Sequence, residues 1–142
     1  MTRRRSWLPT VIRARQAQED LQAQQVARSR RELEQAGAEL TEAGRRLDAT
    51  QLPQSSTVAD FHAGLAQQEA GLASLAAAGH RVRFADDRLA RDLGALTEAA
   101  RARRTVEKMS ERIEQEIAVR ELADDQRAQD EIALTRHVRA AG

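Results

Sequence analysis

The chain has 142 residues, of which 41% are hydrophobic and 32% charged, and its formal net charge is +1. Only Trp7, Phe61 and Phe84 are aromatic and no cysteine is present, which argues against a compact aromatic core and excludes disulfides and cysteine-ligated zinc. The charged, alanine- and leucine-rich composition is typical of long helices or coiled coils, and the small net charge gives no strong attraction to nucleic acid or anionic lipid.

The chain begins with a basic stretch, because residues 1–15 contain arginines but no acidic residue. These are Arg3, Arg4, Arg5, Arg13 and Arg15. The apolar residues from Trp7 to Ile12 are too few and too interrupted for a signal peptide, and no run is long enough to cross a membrane as a helix. We therefore expect no targeting or membrane-spanning segment.

A first helix is predicted over residues 10–50, between the only two prolines of the chain, Pro9 and Pro53. Counting by sevens from Ile12 gives one line of seam positions, and a companion line starts at Ser29. The first line contains Ile12, Glu19, Val26, Leu33, Leu40 and Leu47, and the second contains Ser29, Ala36, Ala43 and Thr50. A sustained seven-residue repeat indicates a helix that pairs with another in a left-handed supercoil.

A turn is predicted over residues 51–56, because Pro53 cannot donate a helical hydrogen bond and disfavours a helical conformation at Leu52. Thr57 then has the character of an N-cap residue, whose hydroxyl can accept a hydrogen bond from the amide of Asp60. The carboxylate of Asp60 also suits the positive end of a helix dipole. We expect the second helix to begin here.

The second helix is predicted over residues 57–139, without a bend at Gly79. Its apolar residues recur at alternating spacings of four and three up to Ala100, and the same spacing then continues from a different origin at Val106. The seam before this change is predicted to contain Phe61, Leu65, Gln68, Leu72, Leu75, Gly79, Val82, Asp86, Leu89, Leu93, Leu96 and Ala100. After it, Met109, Ile113 and Ile117 continue the stripe. We interpret the change as a slip in register.

The two helices have unequal lengths of roughly 60 Å and roughly 125 Å at 1.5 Å per residue. An even turn near Pro53 would bring residue 10 opposite roughly residue 97 and leave about 40 C-terminal residues unpaired, by the same helical rise. The sequence therefore predicts an all-α fold: a single domain over residues 1–142, built as an antiparallel two-helix coiled-coil hairpin with a longer, overhanging second helix.

No pattern of catalytic or ligand-binding residues is found. His62, His80 and His137 lack partners at metal-ligand spacing, and phosphate-binding glycine loops and nucleophile motifs are absent. The basic cluster from Arg101 to Arg112 is interrupted by acidic residues and has no aromatic neighbours, which favours a solvated helix face over a nucleic-acid site. We predict a non-enzyme without catalytic residues, cofactor, metal or bound nucleic acid.

Both ends of the chain carry short motifs of apolar and charged residues. Residues 7–20 read WLPTVIRARQAQED, with an apolar pair, an Arg-x-Arg-like element and a following acidic pair. Residues 106–109 read VEKM, and after a highly charged stretch residues 129–136 read QDEIALTR. These segments resemble the opening and the closing signature of the FliJ family of flagellar export proteins, and the resemblance spans nearly the whole chain.

The resemblance implies a small cytoplasmic rod of the flagellar type III export apparatus, peripheral on the cytoplasmic face of the cell membrane. Its implied partners are the export ATPase ring, the membrane protein of the export gate and export chaperones. The ATPase side would include Leu8, Arg13, Arg15, Asp130, Glu131 and Arg136, and the unpaired part of the second helix adds Met109, Ile113, Ile117 and Leu122. The gate side would include Leu40, Ala43, Leu47, Phe61, Leu65, Gln68 and Leu72.

Two other functions share the predicted fold. The first is the equivalent stalk of a virulence type III secretion system, which would differ from the flagellar protein only in its partners. The second is a self-associating coiled coil whose basic start lies on a membrane surface or on nucleic acid. Dimerisation through the overhanging part of the second helix, without binding to an export ATPase, would exclude the stalk. Binding to liposomes that is lost at moderate salt would favour the surface-lying coiled coil.

Overall fold

Two long α-helices make up nearly all of the computed structural model, which describes residues 7–50 and 57–142. Helix α1 spans Leu8–Ala49 and helix α2 spans Val58–Ala141, against the predicted ranges of 10–50 and 57–139. Helix α2 is continuous through Gly79, and the described residues contain no strand. The predicted all-α class is confirmed.

The start of α2 has the predicted cap. The amide of Asp60 donates a hydrogen bond of 3.3 Å to the hydroxyl oxygen of Thr57, and Asp60 is the acidic residue of the first turn. Thr57 thus satisfies one of the amides that a helix start leaves unpaired. The predicted turn around Pro53 and the basic residues Arg3, Arg4 and Arg5 lie outside the described residues.

The chain divides into two compact units, and the larger one, Ala17–Ala100, contains most of the paired length. We call this unit the stem. Within it, the side chain of Leu47 lies against Gly71 of α2, and farther from the connection the Ser29 hydroxyl donates a hydrogen bond to the Asp92 carboxylate. Residues rising in number along α1 therefore meet residues falling in number along α2. This confirms the predicted antiparallel hairpin.

The seam of α1 follows the predicted heptad. Val26, Ser29 and Ala36 are buried, and the next seam positions, from Leu40 to Leu47, are half-buried. The companion line also extends back toward the start of the helix through the half-buried Gln22. One unbroken repeat therefore describes the face that α1 presents to α2 in the stem.

The predicted seam of α2 is only half correct. Gln68, Leu75, Val82, Leu89 and Leu96 are half-buried as predicted. The alternate positions lie one residue earlier than predicted, at Gly64, Gly71, Ala78, Ala85, Asp92 and Ala99, and most of these are buried. The residues predicted in their place include Leu72, Asp86 and Leu93, which are exposed and occupy the position beside the seam. Phe61 lies on the correct line, one heptad before Gln68, but it is exposed as well.

Packing of a large residue against a small one explains this register. The observed spacing sets Leu47 opposite Gly71, Leu40 opposite Ala78 and Leu33 opposite Ala85, while Leu75 and Val82 of α2 meet Ala43 and Ala36 of α1. A layer that combines one leucine with one glycine or alanine is thinner than a layer of two leucines. The helices can therefore approach closely, because small residues bring the backbones together.

Ion pairs flank one side of the stem seam. Glu32 lies 3.4 Å from Arg88, and Glu39 lies 3.4 Å from Arg81. These residues occupy the flanking heptad position that faces its counterpart in an antiparallel pair. Their side chains are 41–57% exposed, so each pair is worth less than about 1 kcal/mol. Their main effect is to favour this register over its neighbours.

The smaller unit contains Met1–Gln16 and Arg101–Gly142. In its described part, Leu8 is buried at 5% exposure, and Leu8 and Pro9 line one pocket with Ser110, Ile113, Glu114 and Ile117 of α2. The start of α1 therefore lies against residues 110–117. The prediction that residue 10 faces roughly residue 97 is wrong by about three helical turns, at 3.6 residues per turn.

The error arises because packing, and not an even turn at Pro53, sets the register. Leu47 lies level with Gly71, so the first turns of α2, from Val58 to Ala70, extend beyond the end of α1. The offset amounts to roughly 18 Å of helix, and a connection of eight residues can reach roughly 26 Å. The connection is long enough to permit the register that the side chains prefer.

The predicted register slip after Ala100 is also wrong. Once Ala99 is accepted as a seam residue, Arg103, Val106, Ser110, Ile113 and Ile117 follow it at alternating spacings of four and three, and all are half-buried. Beyond Ile117 every described residue of α2 is exposed except the half-buried Ala123. We call Ala118–Ala141 the overhang. Its length is roughly 36 Å, so it is shorter than the predicted unpaired segment.

Candidate partner-binding surfaces

The residues predicted for the ATPase side all lie in the smaller unit but differ in accessibility. Leu8 is buried, and Ile113 and Ile117 are half-buried and line the same pocket, so these three side chains are largely covered within the chain. Met109 is 46% exposed and Leu122 is 66% exposed. The remaining predicted residues are also exposed, namely Arg13, Arg15, Asp130, Glu131 and Arg136.

The overhang carries more exposed apolar side chains than the predicted site included. Val119 is 66% exposed, and its helical position lies beside that of Leu122, because residues three apart share a helix face. Ile132, Leu134 and Val138 are exposed by 53–65%. Large apolar side chains left in water along one helix mark a surface available to a partner. Val119 was not among the predicted residues because it lies away from the seam, and the heptad pattern identifies only seam positions.

Charged residues occupy the seam positions of the overhang. The heptad spacing that passes through Ile113 and Ile117 continues to Arg120, Asp124, Arg127 and Glu131, and then returns to apolar residues at Leu134 and Val138. Asp124 and Arg127 lie 3.9 Å apart, with side chains 74% and 80% exposed. The two ends of this seam are therefore apolar, and the charges of the residues at its centre alternate in sign.

The residues predicted for the gate side lie in the stem and divide into covered and exposed members. Leu40, Ala43 and Leu47 are half-buried in the seam, and the Cδ1 atom of Leu47 lies 3.0 Å from the point where a Cβ at Gly71 would be. Leu65 and Gln68 of α2 are also half-buried. The exposed members are Phe61 and Leu72, at 48% and 52%. The surface open to a partner is thus formed mainly by α2.

Phe61 lies on the part of α2 that extends beyond the end of α1. Its ring makes an edge-on contact with the ring of His62, with centroids 6.4 Å apart and planes inclined by 64°. This segment, Val58–Ala70, is called the tip. A half-exposed aromatic ring held against a second ring is a common anchor for a protein partner. Phe84, exposed at 63%, lies instead in a shallow stem groove beside the Glu39–Arg81 ion pair.

The described residues show no grouping suited to metal ions or to membrane insertion. Among residues 7–50 and 57–142, no three His, Cys, Asp or Glu side chains lie together as metal ligands. Over the same residues, neither helix has an apolar window long enough to cross a bilayer. In the basic cluster, Arg103 forms a 2.9 Å ion pair with Glu107, so this arginine is engaged within its own helix.

Comparison with known proteins identifies the family. A family model described as "Flagellar FliJ protein" matches residues 5–142, which include both helices entirely. The chain belongs to the FliJ family. No curated protein and no solved structure matches the chain. The family assignment therefore rests on the pattern of the whole chain and not on one relative.

Membership in the FliJ family makes this a flagellar, export-related protein of a non-enzymatic family. The three segments that carry the resemblance, residues 7–20, 106–109 and 129–136, lie mostly in the smaller unit, which contains the start of α1 and the end of α2. The exposed overhang belongs to the same unit.

Proposed function

We infer that this FliJ-family protein works as a non-enzymatic component of the flagellar type III export apparatus. In this proposal the overhang engages the export ATPase, the tip engages the membrane protein of the export gate, and the protein escorts export chaperones on the cytoplasmic face of the membrane. The observation that supports it most directly is the overhang itself. In a chain of this family, its exposed apolar and charged side chains are available to a partner.

The ATPase contact is expected to use the outer face of the overhang. Val119 and Leu122 are exposed and adjacent there, and Met109 contributes a further apolar side chain. Asp130, Glu131 and Arg136 supply charges that can orient a partner, since charged groups at an interface contribute more to specificity than to affinity. Leu8 contributes indirectly, because it anchors the start of α1 against α2.

The overhang contact can be tested in the full chain by placing charges on this outer face. We expect Val119→Asp combined with Leu122→Asp to weaken binding to the purified flagellar export ATPase by roughly tenfold or more, as expected when anchors are lost. The matched control is Ala76→Asp with Ala90→Asp, which adds the same charges at exposed stem positions. Biolayer interferometry gives the affinity, and circular dichroism verifies equal helicity. Unchanged ATPase affinity in the overhang variant would contradict the assignment.

The gate contact can be tested by removing exposed apolar side chains at or beside the tip and comparing the effect with that of an aromatic residue removed from the stem. We expect Phe61→Ala with Leu72→Ala to weaken binding to the cytoplasmic part of the export gate protein roughly tenfold, because both side chains are exposed at or beside the tip. Phe84→Ala removes a ring from the stem that is 63% exposed, against 48% for Phe61, and serves as the control. If Phe84→Ala causes the larger loss, the gate surface lies along the stem and not at the tip. Binding to a virulence-system ATPase in preference to the flagellar one would reassign the protein to that system.

A further inference from the structure

The seam that runs from Ile117 into the overhang is complementary to itself when two copies of it run in opposite directions. From Ile117 to Leu134 the seam positions are apolar, basic, acidic, basic, acidic and apolar. In chain order these residues are Ile117, Arg120, Asp124, Arg127, Glu131 and Leu134. When this order is reversed and set beside the forward order, each seam residue lies opposite a residue with which it can pair favourably. Apolar residues face each other at the two ends, and opposite charges face each other in the centre.

We propose that the occupant of this seam is the overhang of a second copy of the chain, paired antiparallel about a two-fold axis between Asp125 and Gln126. In this arrangement Ile117 meets Leu134 of the second copy, Arg120 meets its Glu131 and Asp124 meets its Arg127. Because of the two-fold symmetry, each of these contacts occurs twice in the dimer. The Asp124–Arg127 pair already present within the helix at 3.9 Å becomes half of a cluster of four alternating charges on the axis.

The geometry agrees with the rules of coiled-coil pairing. In an antiparallel pair the two kinds of seam position alternate across each layer, and the three contacts above join positions of different kind in each case. The flanking residues are also compatible, because Ala123 comes level with Asp130 of the second copy and Glu121 comes level with its Ala128. No layer and no flank places like charges opposite each other.

Other arrangements of the same two helices are less favourable. A parallel pair in register would place Arg120 against Arg120 and Asp124 against Asp124, and like charges across an interface cost several kcal/mol. Sliding the antiparallel pair by one heptad would set Ile117 against Arg127, or Asp124 against Leu134. Both alternatives bury a charge against an apolar side chain. Only one register satisfies every layer of the overhang.

The start of α1 limits this pairing to the seam between Ile117 and Leu134. Leu8 covers the seam as far as Ile117, so the residues after Leu134 of each copy must separate from the seam of the other, whereas the described seam residues beyond Ile117 are exposed. The second overhang would therefore occupy the next stretch of the same seam, over roughly 26 Å between Ile117 and Leu134. Four of the six seam residues are charged, so their desolvation offsets much of the attraction. We expect a dimer of modest affinity that weakens as salt is added.

Charge reversal in the full chain tests both the dimer and its direction. Sedimentation equilibrium of the unmodified protein should show a reversible dimer at low salt. Arg120→Glu alone, or Glu131→Arg alone, should weaken dimerisation by roughly tenfold or more, since each places like charges in two layers. Arg112→Glu reverses a charge at an exposed position outside the seam and should leave dimerisation unchanged.

A double variant and a mixture of the two single variants make the test specific for an antiparallel two-fold pair. The double variant with Arg120→Glu and Glu131→Arg should dimerise as the unmodified chain does. A mixture of the two single variants should form a heterodimer, because every facing pair then becomes complementary again. A protein that stays monomeric at low salt, single reversals without effect, or a mixture that stays monomeric would each overturn the proposal.

This inference does not rest on the proposed export function, because the test needs no partner protein. The two proposals also use different residues for their tests. Val119→Asp with Leu122→Asp alters the outer face and should leave the dimer intact, whereas Arg120→Glu alters the seam. Unchanged ATPase affinity in the first variant contradicts the ATPase contact, whereas unchanged dimerisation in the second contradicts the dimer, so the two failures can be told apart.

Discussion

A buried polar contact lies within the largely apolar seam of the stem. Ser29 is 2% exposed, and its hydroxyl donates a hydrogen bond to the carboxylate of Asp92 on the other helix. A buried polar group that lacks a partner costs about 1–3 kcal/mol, so any other register would leave Ser29 or Asp92 poorly satisfied. The pair therefore favours one alignment of the two helices, in the way that a buried polar residue fixes coiled-coil register.

We expect the stability effects of these two residues to be coupled. Ser29→Ala and Asp92→Ala should each lower the free energy of unfolding by about 1 kcal/mol, and the double variant should lose less than the sum, with a coupling of at least about 0.5 kcal/mol. Urea denaturation followed by circular dichroism measures all four proteins. Asp86→Ala is the control, because Asp86 is exposed beside the seam and should change stability by less than about 0.5 kcal/mol. Strict additivity would mean that the hydrogen bond contributes nothing.

Local chemistry was predictable at the residue scale where it depends on near neighbours in sequence. Thr57 and Asp60 predicted the N-cap, and Glu42 and Arg46, which have the spacing of helical neighbours, form a 3.3 Å ion pair. The Ser29–Asp92 contact was not predictable in the same way. It depends on the register between residues far apart in sequence, and the seam predicted for α2 placed Asp86 there and not Asp92.

The two helices differ in how clearly their sequences show the seam. In α1 the large apolar residues lie on the seam, so counting by sevens identified it correctly. In α2 half of the seam positions are glycine or alanine, and the larger Leu65, Leu72 and Leu93 lie one residue later. A count of large apolar residues therefore chooses the wrong line. The correct line would have been recognised from Val106, Ile113 and Ile117, which need no slip once the small residues are accepted.

The glycines of α2 allow this large-to-small packing to be measured. No heavy atom lies within 4 Å of the point where a Cβ at Gly79 would be, whereas at Gly71 the Cδ1 atom of Leu47 lies 3.0 Å from that point. Gly79→Ala should raise the free energy of unfolding by about 0.5–1 kcal/mol, because alanine favours a helix over glycine. Gly71→Ala should gain clearly less, because Leu47 must move. Thermal unfolding compares the two variants, and an equal gain would show that the helices are not closely packed at Gly71.

At the scale of the whole molecule, the end of α2 divides into a covered part and an exposed part. Residues 110–117 line the pocket with Leu8, while nearly all described residues from Ala118 onward are exposed. The existence of an overhang was predictable from the unequal lengths of the two segments between Pro9, Pro53 and the C-terminus. Its extent was not, because the offset at the tip depends on side-chain packing and not on the position of a proline.

Truncations on either side of Ile117 should therefore behave differently. Removing residues 118–142 should shift the midpoint of thermal unfolding by about 2 °C or less, measured at high salt and low protein concentration to avoid dimers. Removing residues 110–142 should lower it by roughly 5 °C or more, since Leu8 then loses its apolar cover. Circular dichroism follows both. Equal losses would place the boundary of the paired region elsewhere.

The position of Trp7 has a practical consequence. It is the only tryptophan, no tyrosine is present, and it stands 47% exposed directly before the buried Leu8. Tryptophan emission from this protein therefore comes from one ring, directly beside the residue that covers the α2 seam at Ile113 and Ile117. A blue shift on adding a partner, or on raising the protein concentration, would act as an unlabelled optical signal that this ring has been enclosed.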